Sequence, residues 1–518
     1  MNRMFDYVEK AAFHRPDAPS LTFLGESFTW AQTHSRCRAM AAKLHELGVG
    51  RGDLVAHLGF NSHHLFELYF IPSLVGAASV PINYRLSEAE IVEILRDCNP
   101  TILIADAAHM DMARAVAAQV ESVTVIMGAG EMALRPGELS YDDIANGAVQ
   151  HLDPALAGQD DDTIILLYTG GTTGQPKGVE LSHSNVLSNA LGTLAPYGFK
   201  ESETHLVSGP LFHAGSGSRV YSAVVLGAHT VIMQRFDPAE MLRLVTAHGV
   251  NVAQTVPTVL VMILDHPDFA DSDLSSLRMM TYGAAPIPEA LLSRVMKEMP
   301  QIKFAQAYGM TEASPVLTVL TAEYHTLEGP FAGKMTSVGR ICAHVDLRIV
   351  DTAGRAVPTG EVGEIVARGP NVARGYRGNA AQTALSFREG WYHTGDSGYL
   401  DAGGFLYVVG CIKDMIISGG ENVYPIEVEN VISLHPAIAA VAVIGVPDDK
   451  WGEAVHAVVV LKPAANVSAK ELIEHARARI AHYKCPRGVT FTTNSLPLTP
   501  INKIDKVALR EAYAKGAL

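Results

Sequence analysis

The sequence of 518 residues is poor in the residues that build disulfide or zinc frameworks. It has five cysteines, which are odd in number, widely spaced and never arranged as C-x-x-C: Cys37, Cys98, Cys342, Cys411 and Cys485. No H-E-x-x-H spacing occurs among its 21 histidines, and the adjacent pair His63 and His64 is expected to be exposed to solvent. This pattern predicts reduced thiols, no zinc site and a cytoplasmic location.

Positive charge and long apolar runs are also scarce. The formal net charge is -14, which argues against a nucleic-acid surface because phosphate backbones are bound by concentrated Lys and Arg. The most apolar stretch, 69–82, is interrupted by Pro72 and Gly76, whereas a membrane-spanning helix needs about 20 apolar residues, so this stretch is expected to be a buried element. The first 16 residues contain no signal-peptide core. We therefore expect a soluble protein without a transmembrane segment, and an oligomer is compatible with this composition.

The length and the patterning predict a multidomain α/β and α+β protein. Up to about residue 338, short apolar runs alternate with helix-like segments, which is typical of parallel or mixed sheets covered by helices. Between 339 and 412, short strands separated by turns indicate a small β-barrel-like subdomain. The expected division is an N-terminal domain (1–412, with α/β subdomains 1–160 and 161–338 and a β subdomain 339–412) and a small mobile α+β domain (413–518).

Two capping boxes mark helix starts in this pattern. Thr29 and Gln32 begin a helix over 29–47, and Ser468 and Glu471 begin another near the C-terminus. The second helix is expected to bury one stripe of side chains: Leu472, Ala476, Ile480 and Tyr483.

The sharpest local signal is the string YTGGTTGQPKG at 168–178, which directly follows an apolar strand. Its glycines let the backbone approach a polyphosphate, its threonines offer hydroxyls and Lys177 adds a positive charge, which is the composition of a phosphate cradle. It is not the nucleotide-binding loop with the pattern G-x-x-x-x-G-K-[ST], because Lys177 follows Pro176 and the next residue is neither Ser nor Thr. A purely structural turn is the alternative for this string taken alone.

Four further strings carry candidate chemistry. YGMTE at 308–312 ends a strand, and Glu312 beside a phosphate site is a natural Mg2+ ligand, although a helix cap at Thr311 is the alternative. YHTGD at 392–396 offers Asp396 to ribose hydroxyls, or is an ordinary turn. KDMIISGGENVYP at 413–425 lies at a domain boundary, and PLTPINKIDK at 497–506 lies near the C-terminus.

Together and in this order, the five strings resemble the adenylate-forming superfamily of acyl-CoA synthetases, carrier-domain adenylation modules and beetle luciferase. The resemblance covers essentially the whole chain and looks closest to bacterial fatty-acyl-CoA or aryl-CoA ligases. It implies an AMP-forming acid–thiol ligase that uses ATP, Mg2+ and coenzyme A. A small-molecule carboxylic acid, ATP and coenzyme A would then be its partners.

The resemblance also implies roles for individual residues. Glu312 would ligate Mg2+, Lys503 would bridge the carboxylate and the α-phosphate, and His213 would flank the acyl pocket unless it is a packed core residue. Lys413 would be the hinge of the C-terminal domain. The residues implied for ATP or AMP are Thr169, Gly170, Gly171, Thr172, Thr173, Gly174, Lys177, Gly283, Ala284, Ala285, Gln306, Ala307, Tyr308, Gly309, Met310, Thr311, Asp396, Cys411 and Lys503. Those implied for coenzyme A are Gly419, Gly420 and Trp451.

Three positions depart from the pattern of this family. Gly171 stands where Ser is usual, so that one hydroxyl is lost from the phosphate loop. Asn502 replaces the glycine before the catalytic lysine, and Asn tolerates left-handed backbone better than most residues. Cys411 replaces an arginine that contacts the nucleotide, and a thiol supplies no charge and only a weak donor. We therefore expect weaker ATP binding than in relatives.

The acid itself is the least specified part of the prediction. The region 212–226 is mostly small and apolar, which favours a medium- or long-chain fatty acid, with an aryl or cinnamate-type acid as the alternative. Arg219 is the one charge there and is expected at a solvated position, with contact to a polar end of the substrate as the alternative. Loading of a free-standing carrier protein is another alternative, and a nucleotide-binding protein with impaired turnover is an alternative of a different class.

Overall fold

The computed structural model describes residues 3–169, 176–283, 287, 289–411, 414–418, 421–448, 450–498 and 504–518. The chain forms two compact units. The first comprises Met1–Ala284, Val295–Leu347 and Ala367–Tyr392, and the second comprises Ala285–Arg294, Arg348–Val366 and His393–Leu518. Both units combine sheets with helices, which confirms the predicted α/β and α+β fold class.

The α-helices are α1 (Met4–His14), α2 (Trp30–Glu46), α3 (His63–Leu68), α4 (Glu88–Cys98), α5 (Met110–Ala117), α6 (Tyr141–Ala145), α7 (His183–Tyr197), α8 (Ala214–Leu226), α9 (Pro238–His248), α10 (Pro257–Leu264), α11 (Glu289–Glu298), α12 (Ala380–Ser386), α13 (Pro425–Ser433), α14 (Ala469–Arg477) and α15 (Lys506–Ala514).

The strands up to residue 341 are β1 (Pro19–Phe23), β2 (Glu26–Thr29), β3 (Leu54–Leu58), β4 (Ala78–Ile82), β5 (Ile102–Asp106), β6 (Val125–Ala129), β7 (Leu139–Ser140), β8 (Thr163–Thr169), β9 (Lys177–Ser182), β10 (Thr204–Val207), β11 (His229–Ile232), β12 (Val252–Thr255), β13 (Met279–Gly283), β14 (Lys303–Gly309), β15 (Val316–Leu320) and β16 (Arg340–Ile341).

The later strands are β17 (Asp346–Val350), β18 (Gly363–Arg368), β19 (Phe387–Arg388), β20 (Trp391–Leu400), β21 (Leu406–Cys411), β22 (Ile416–Ser418), β23 (Glu421–Val423), β24 (Ile438–Asp448), β25 (Gly452–Leu461) and β26 (Gly488–Thr492).

The first unit contains two large sheets built mainly from parallel strands. One has the order β16-β15-β14-β13-β12-β10-β11-β1-β2, and the other has the order β7-β6-β5-β3-β4-β8-β9. Strands β10 to β14 run parallel to one another, so their carboxyl ends meet at one edge. Loops at such an edge are where α/β sheets bind ligands.

The second unit contains most of one sheet and the whole of another. In the first of these, β18 lies between β17 and β20, and β21 pairs with β20. The other has the order β23-β22-β25-β24, with β26 beside β25. Alternate residues of β24 face opposite sides of this sheet: Val443 packs in a core with α13 and α14, whereas Ile444 packs in a second core with Leu509 of α15.

Several local predictions are confirmed by the backbone. The capping boxes at Thr29 and at Ser468 are both present, and the 69–82 stretch is buried throughout. The stripe predicted for the second helix was too long, because α14 ends at Arg477 and Tyr483 is 39 % exposed. No helix in the described ranges is both long and apolar enough to cross a membrane.

The expected exposure of His63 and His64 was wrong, since both side chains are buried. The His63 ring stacks on Phe28 with centroids 5.0 Å apart, and His64 meets Tyr141 edge-on at 4.8 Å. The His64 ring also lies 3.0 Å from the Asp142 carboxylate. Aromatic neighbours distant in sequence therefore bury a pair that looks polar in isolation.

Candidate active site

The phosphate-loop string begins and ends on the hairpin that strands β8 and β9 form in the seven-stranded sheet. Strands β8 and β9 are antiparallel, and their register places Thr169 opposite Lys177. The predicted phosphate ligands Gly170, Gly171, Thr172, Thr173 and Gly174 lie outside the described residues. The hairpin nevertheless fixes both ends of the loop, because Thr169 and Lys177 are held by the strand ladder.

Strand β14 delivers the YGMTE string to the carboxyl edge of the nine-stranded sheet. It ends at Gly309, where a Cβ atom would lie 1.8 Å from the Pro315 carbonyl oxygen, so only glycine fits this close backbone approach. A single 3-10 turn, Thr311–Ala313, follows and is preceded by Met310 at its cap position. This turn buries Glu312, which is 8 % exposed.

Glu312, Tyr376 and Lys177 form a charged cluster in the first unit. The Tyr376 hydroxyl donates a hydrogen bond of 2.8 Å to Glu312 Oε1, and Lys177 Nζ lies 5.3 Å from the centre of the Tyr376 ring. Burial and the Glu312 carboxylate raise the pKa of Tyr376, so its hydroxyl stays protonated and acts as a donor. The cluster therefore joins a fixed carboxylate to a positive charge at the end of the phosphate loop.

The donor set at Glu312 fits Mg2+, which prefers oxygen ligands and nucleotide phosphates. Tyr376 uses only one carboxylate oxygen, and Glu312 Oε2 accepts no hydrogen bond from any residue that the structure describes. The Thr311 hydroxyl, one residue earlier, offers a further oxygen in the same turn. These residues could hold the metal without losing an existing contact.

Tyr376 was missed by the sequence analysis, which gave no role to the segment around it. The segment 371–377 contacts both the turn that carries Glu312 and the strand that carries Lys177. The Asn371 side-chain amide donates to the Ala313 carbonyl, and the Ala373 N–H donates to the Glu312 carbonyl, each at 2.8 Å. The Arg377 N–H donates to Gly178 beside Lys177 at 2.8 Å. The signal in the sequence is weak, since it is a tyrosine between Gly375 and an arginine.

The residues predicted to frame adenine lie at the ends of two neighbouring strands. Gly283 of β13 is opposite Ala307 of β14, and a Cβ on Gly283 would lie 2.6 Å from the Ala307 carbonyl oxygen. The Gln306 amide is buried, and its Oε1 accepts a long hydrogen bond of 3.5 Å from Tyr282. Ala284 and Ala285 lie outside the described residues. Tyr308 follows Ala307 and is half-buried near the strand end.

His213 and Arg219 are positioned by helix α8. His213 is the N-cap residue, and its Nδ1 accepts from the Gly215 N–H at 3.5 Å. The expected solvation of Arg219 was wrong, because this residue is only 6 % exposed. Its guanidinium lies 4.3 Å from the centre of the Tyr197 ring. Helix α8 is covered on nearly all sides, and the arginine is therefore enclosed with it.

In the second unit, Asp396 and Cys411 are direct neighbours on paired antiparallel strands, β20 and β21. The TGD segment is not an ordinary turn: it lies inside β20, where Gly395 adopts a φ of 74°. Thr394 Oγ1 accepts from the Asp396 N–H at 3.0 Å. The residue that replaces the family arginine thus lies beside the carboxylate expected to bind ribose.

Trp451, the predicted contact of the coenzyme A adenine, has cations on its ring. The Arg487 guanidinium lies 4.1 Å and Lys450 Nζ lies 4.9 Å from the ring centre. The remaining predicted residues of this unit lie outside the described residues: Lys413, Gly419, Gly420, Asn502 and Lys503.

Comparisons with known proteins cover nearly the entire chain. A family model described as AMP-binding enzyme matches residues 8–377, and one described as AMP-binding enzyme C-terminal domain matches 427–503. A feruloyl-CoA synthase of Amycolatopsis sp is 39% identical over 96% of each chain. A medium/long-chain-fatty-acid–CoA ligase of Mycobacterium tuberculosis is 35% identical, with 98% of this chain and 89% of that protein covered. The structure of o-succinylbenzoate CoA synthetase from Bacillus subtilis in complex with its acyl-adenylate intermediate superposes with a TM-score of 0.83, at 30% identity over 97% of each chain.

Proposed function

The chain belongs to the AMP-binding enzyme family, and from that premise we propose how its residues activate a carboxylic acid and which acid they take. The enzyme is an AMP-forming acid–CoA ligase. It converts an acid, ATP and coenzyme A into acyl-CoA, AMP and pyrophosphate through an acyl-adenylate, and it uses Mg2+.

The cluster of Glu312, Tyr376 and Lys177 carries the proposed mechanism. An acid becomes an acyl donor when its carboxylate attacks the α-phosphorus of ATP and pyrophosphate leaves. Because the carboxylate and the triphosphate repel each other, positive charge must be in place before the attack, and preorganised charge is usually the largest catalytic contribution. Lys177 supplies one such charge. Glu312 would hold Mg2+, which would supply further neutralisation of the phosphate charge as a Lewis acid.

The remaining roles are proposed from the family resemblance. Thr311 contacts the α-phosphate, Asp396 accepts from the ribose hydroxyls, and Lys503 bridges the carboxylate and the α-phosphate. Gly419, Gly420 and Trp451 serve coenzyme A, and Lys413 is the hinge of a mobile domain that begins near residue 413. The position of Cys411 opposite Asp396 supports a nucleotide contact at that position.

We propose an arylcarboxylic acid as the substrate, in preference to the fatty acid that the sequence favoured. The argument for an alkyl tail was the apolar composition of α8, but its apolar side chains Val220, Tyr221 and Val224 pack in the core of the first unit. The similarity to feruloyl-CoA synthase supports the same proposal.

The test of this function is acid-dependent exchange of labelled pyrophosphate into ATP by the purified protein. Exchange with an arylcarboxylic acid, followed by AMP release that depends on coenzyme A, is the expected result. AMP release that needs a carrier protein instead of coenzyme A would favour carrier loading. Failure of every acid in a broad panel to support exchange would favour the nucleotide-binding alternative.

The five cysteines remain as thiols, which supports a cytoplasmic location as part of this proposal.

A further inference from the structure

Two histidines and an aspartate meet in the first unit, apart from the residues predicted for ATP, coenzyme A and Mg2+. His63 and His64 are consecutive residues of α3, and Asp142 lies in α6. One ring nitrogen of each histidine and one carboxylate oxygen of Asp142 lie within 4.8 Å of one another. Among the residues that the structure describes, this is the only group of three His, Cys, Asp or Glu side chains close enough to share a metal ion.

Both histidine rings direct their Nε2 atoms toward the same carboxylate. His64 Nε2 lies 3.0 Å from each oxygen of Asp142, and His63 Nε2 lies 3.8 Å from Oδ1. The centres of the two rings are 3.7 Å apart. A four-coordinate metal with bonds of about 2.0–2.2 Å holds its ligand atoms about 3.3–3.5 Å from one another. The observed separations lie on both sides of this spacing, so small side-chain rotations would bring all three atoms to one ion.

Hydrogen bonding alone does not account for His63. This residue is only 7 % exposed, and its Nδ1 has no hydrogen-bond partner among the described residues. The 3.8 Å from its Nε2 to Asp142 is too long for a hydrogen bond. In native proteins a buried polar group without a partner calls for an explanation such as an ion or a water. A metal ion bound at Nε2 would give this ring a partner on the side that faces the carboxylate.

The groups around Asp142 orient it and leave room for a cation. The Gly130 N–H donates to Oδ2 at 2.9 Å, and such partners fix the orientation of metal-ligating carboxylates. The Arg36 guanidinium lies 3.3 Å from Oδ1, but its charge is matched by Glu67 at 2.5 Å. The two acids therefore exceed the arginine by one negative charge. The Asp142 side chain is 32 % exposed, so that an ion and a water molecule can reach it from solvent.

We propose that His63, His64 and Asp142 bind one divalent first-row transition-metal ion, with Zn2+ as the expected occupant and water as the fourth ligand. Imidazole nitrogens suit Zn2+, Co2+ and Ni2+, whereas Mg2+ prefers oxygen ligands, so this site is chemically distinct from the one at Glu312. The ion would tie α3 to α6. Asp142 follows His64 by 78 residues, which explains why no spacing in the sequence indicated a zinc site.

The test is a titration of chelator-treated protein with Co2+ in the presence of excess Mg2+. One equivalent should bind and give the visible d–d bands of a four-coordinate nitrogen and oxygen site, without the charge-transfer bands of a thiolate ligand. His64→Gln and Asp142→Asn should each lose these bands and weaken binding at least about tenfold. His266→Gln is the matched control, because its ring lies 3.9 Å from the Asp268 carboxylate without a second histidine, and it should bind Co2+ normally.

Zn2+ gives a second measurement on the same protein. It binds such ligands more tightly than Co2+ does, so it should abolish the d–d bands. Saturating Zn2+ should also raise the melting temperature by about 2 °C or more, and this increase should be absent in Asp142→Asn.

Each result either supports or overturns the proposal, whatever acid the enzyme activates. Absence of the bands in the unchanged protein, or their persistence in both variants, overturns it and leaves Asp142 as a hydrogen-bond acceptor only. Displacement of Co2+ by Mg2+ also overturns it, since that result would indicate an oxygen-ligand site. His63→Gln provides a third variant in case replacement of His64 or Asp142 prevents folding, which circular dichroism would show. A folded His63→Gln protein that keeps the bands overturns the proposal, and one that loses them supports it.

Discussion

At the scale of single residues, Cys411 is the most informative departure from the family pattern. Its strand position opposite Asp396 would direct an arginine side chain toward the same nucleotide contact. We predict that Cys411→Arg lowers the KM for ATP about tenfold or more, because a hydrogen bond to a charged group contributes about 1.5–3 kcal/mol. Steady-state kinetics at saturating acid and coenzyme A measure this change. Cys411→Ser adds no charge and should leave the KM near its original value; an unchanged KM in the arginine variant would contradict the assignment.

Tyr376 tests the carboxylate cluster at the same scale. Tyr376→Phe keeps the ring beneath Lys177 but removes the 2.8 Å hydrogen bond to Glu312. The carboxylate then loses the partner that orients it, and partners of this kind change metal affinity about 10–100-fold. We therefore predict that the Mg2+ concentration for half-maximal pyrophosphate exchange rises about tenfold. Tyr7→Phe is the matched control, since Lys10 lies 4.5 Å over that ring. An equal Mg2+ dependence in the unchanged protein and in both variants would contradict the assignment of Glu312 as the metal ligand.

At the scale of elements, the turn after β14 determines where Glu312 lies. Gly309→Ala would place a Cβ 1.8 Å from the Pro315 carbonyl oxygen, so the backbone of the turn must shift. We predict that exchange activity falls at least about tenfold, because a misplacement of about 1 Å is costly to catalysis, and that the melting temperature decreases. Gly50→Ala is the control, because nothing lies within 4 Å of a Cβ there. A variant at Gly309 with full activity would show that the turn is not rigidly required.

The elements also show what the sequence could and could not predict. The caps at Thr29 and Ser468 were predictable because a capping box is a contact over three residues, and the strand before the phosphate loop was predictable from a single apolar run. Tyr376 was not, because its partner Glu312 is 64 residues away and a Gly-Tyr-Arg string has no chemistry of its own. The enclosure of Arg219 depends on Tyr197, which belongs to another helix, so no pattern within α8 reveals it.

At the scale of the whole molecule, the candidate residues are distributed over both compact units. Lys177, Glu312 and Tyr376 belong to the first, whereas Asp396, Cys411 and Trp451 belong to the second. Within the first unit, parallel strands bring residues far apart in sequence to one sheet edge. This explains why the motifs with candidate chemistry are short and widely separated along the chain. The two chemical steps also have different requirements. Adenylation requires positive charge around a triphosphate, whereas thioester formation requires a path by which a thiol can reach the acyl group. This difference allows the steps to be separated by mutation.

The substitution that should separate them is Lys503→Ala, at a position outside the described residues. Lys503 is proposed to neutralise the attacking carboxylate and the α-phosphate, a charge that the thiol's attack on an already formed mixed anhydride does not require. We predict that the variant loses acid-dependent pyrophosphate exchange by at least about 100-fold, as expected for removal of a preorganised charge, yet converts pre-made acyl-adenylate and coenzyme A into thioester at nearly the original rate. Lys515→Ala removes an exposed lysine 3.6 Å from Glu511 and should affect neither step. Equal loss of both steps in Lys503→Ala would mean that this lysine also serves the thiol, and that one arrangement of the C-terminal residues carries out both reactions.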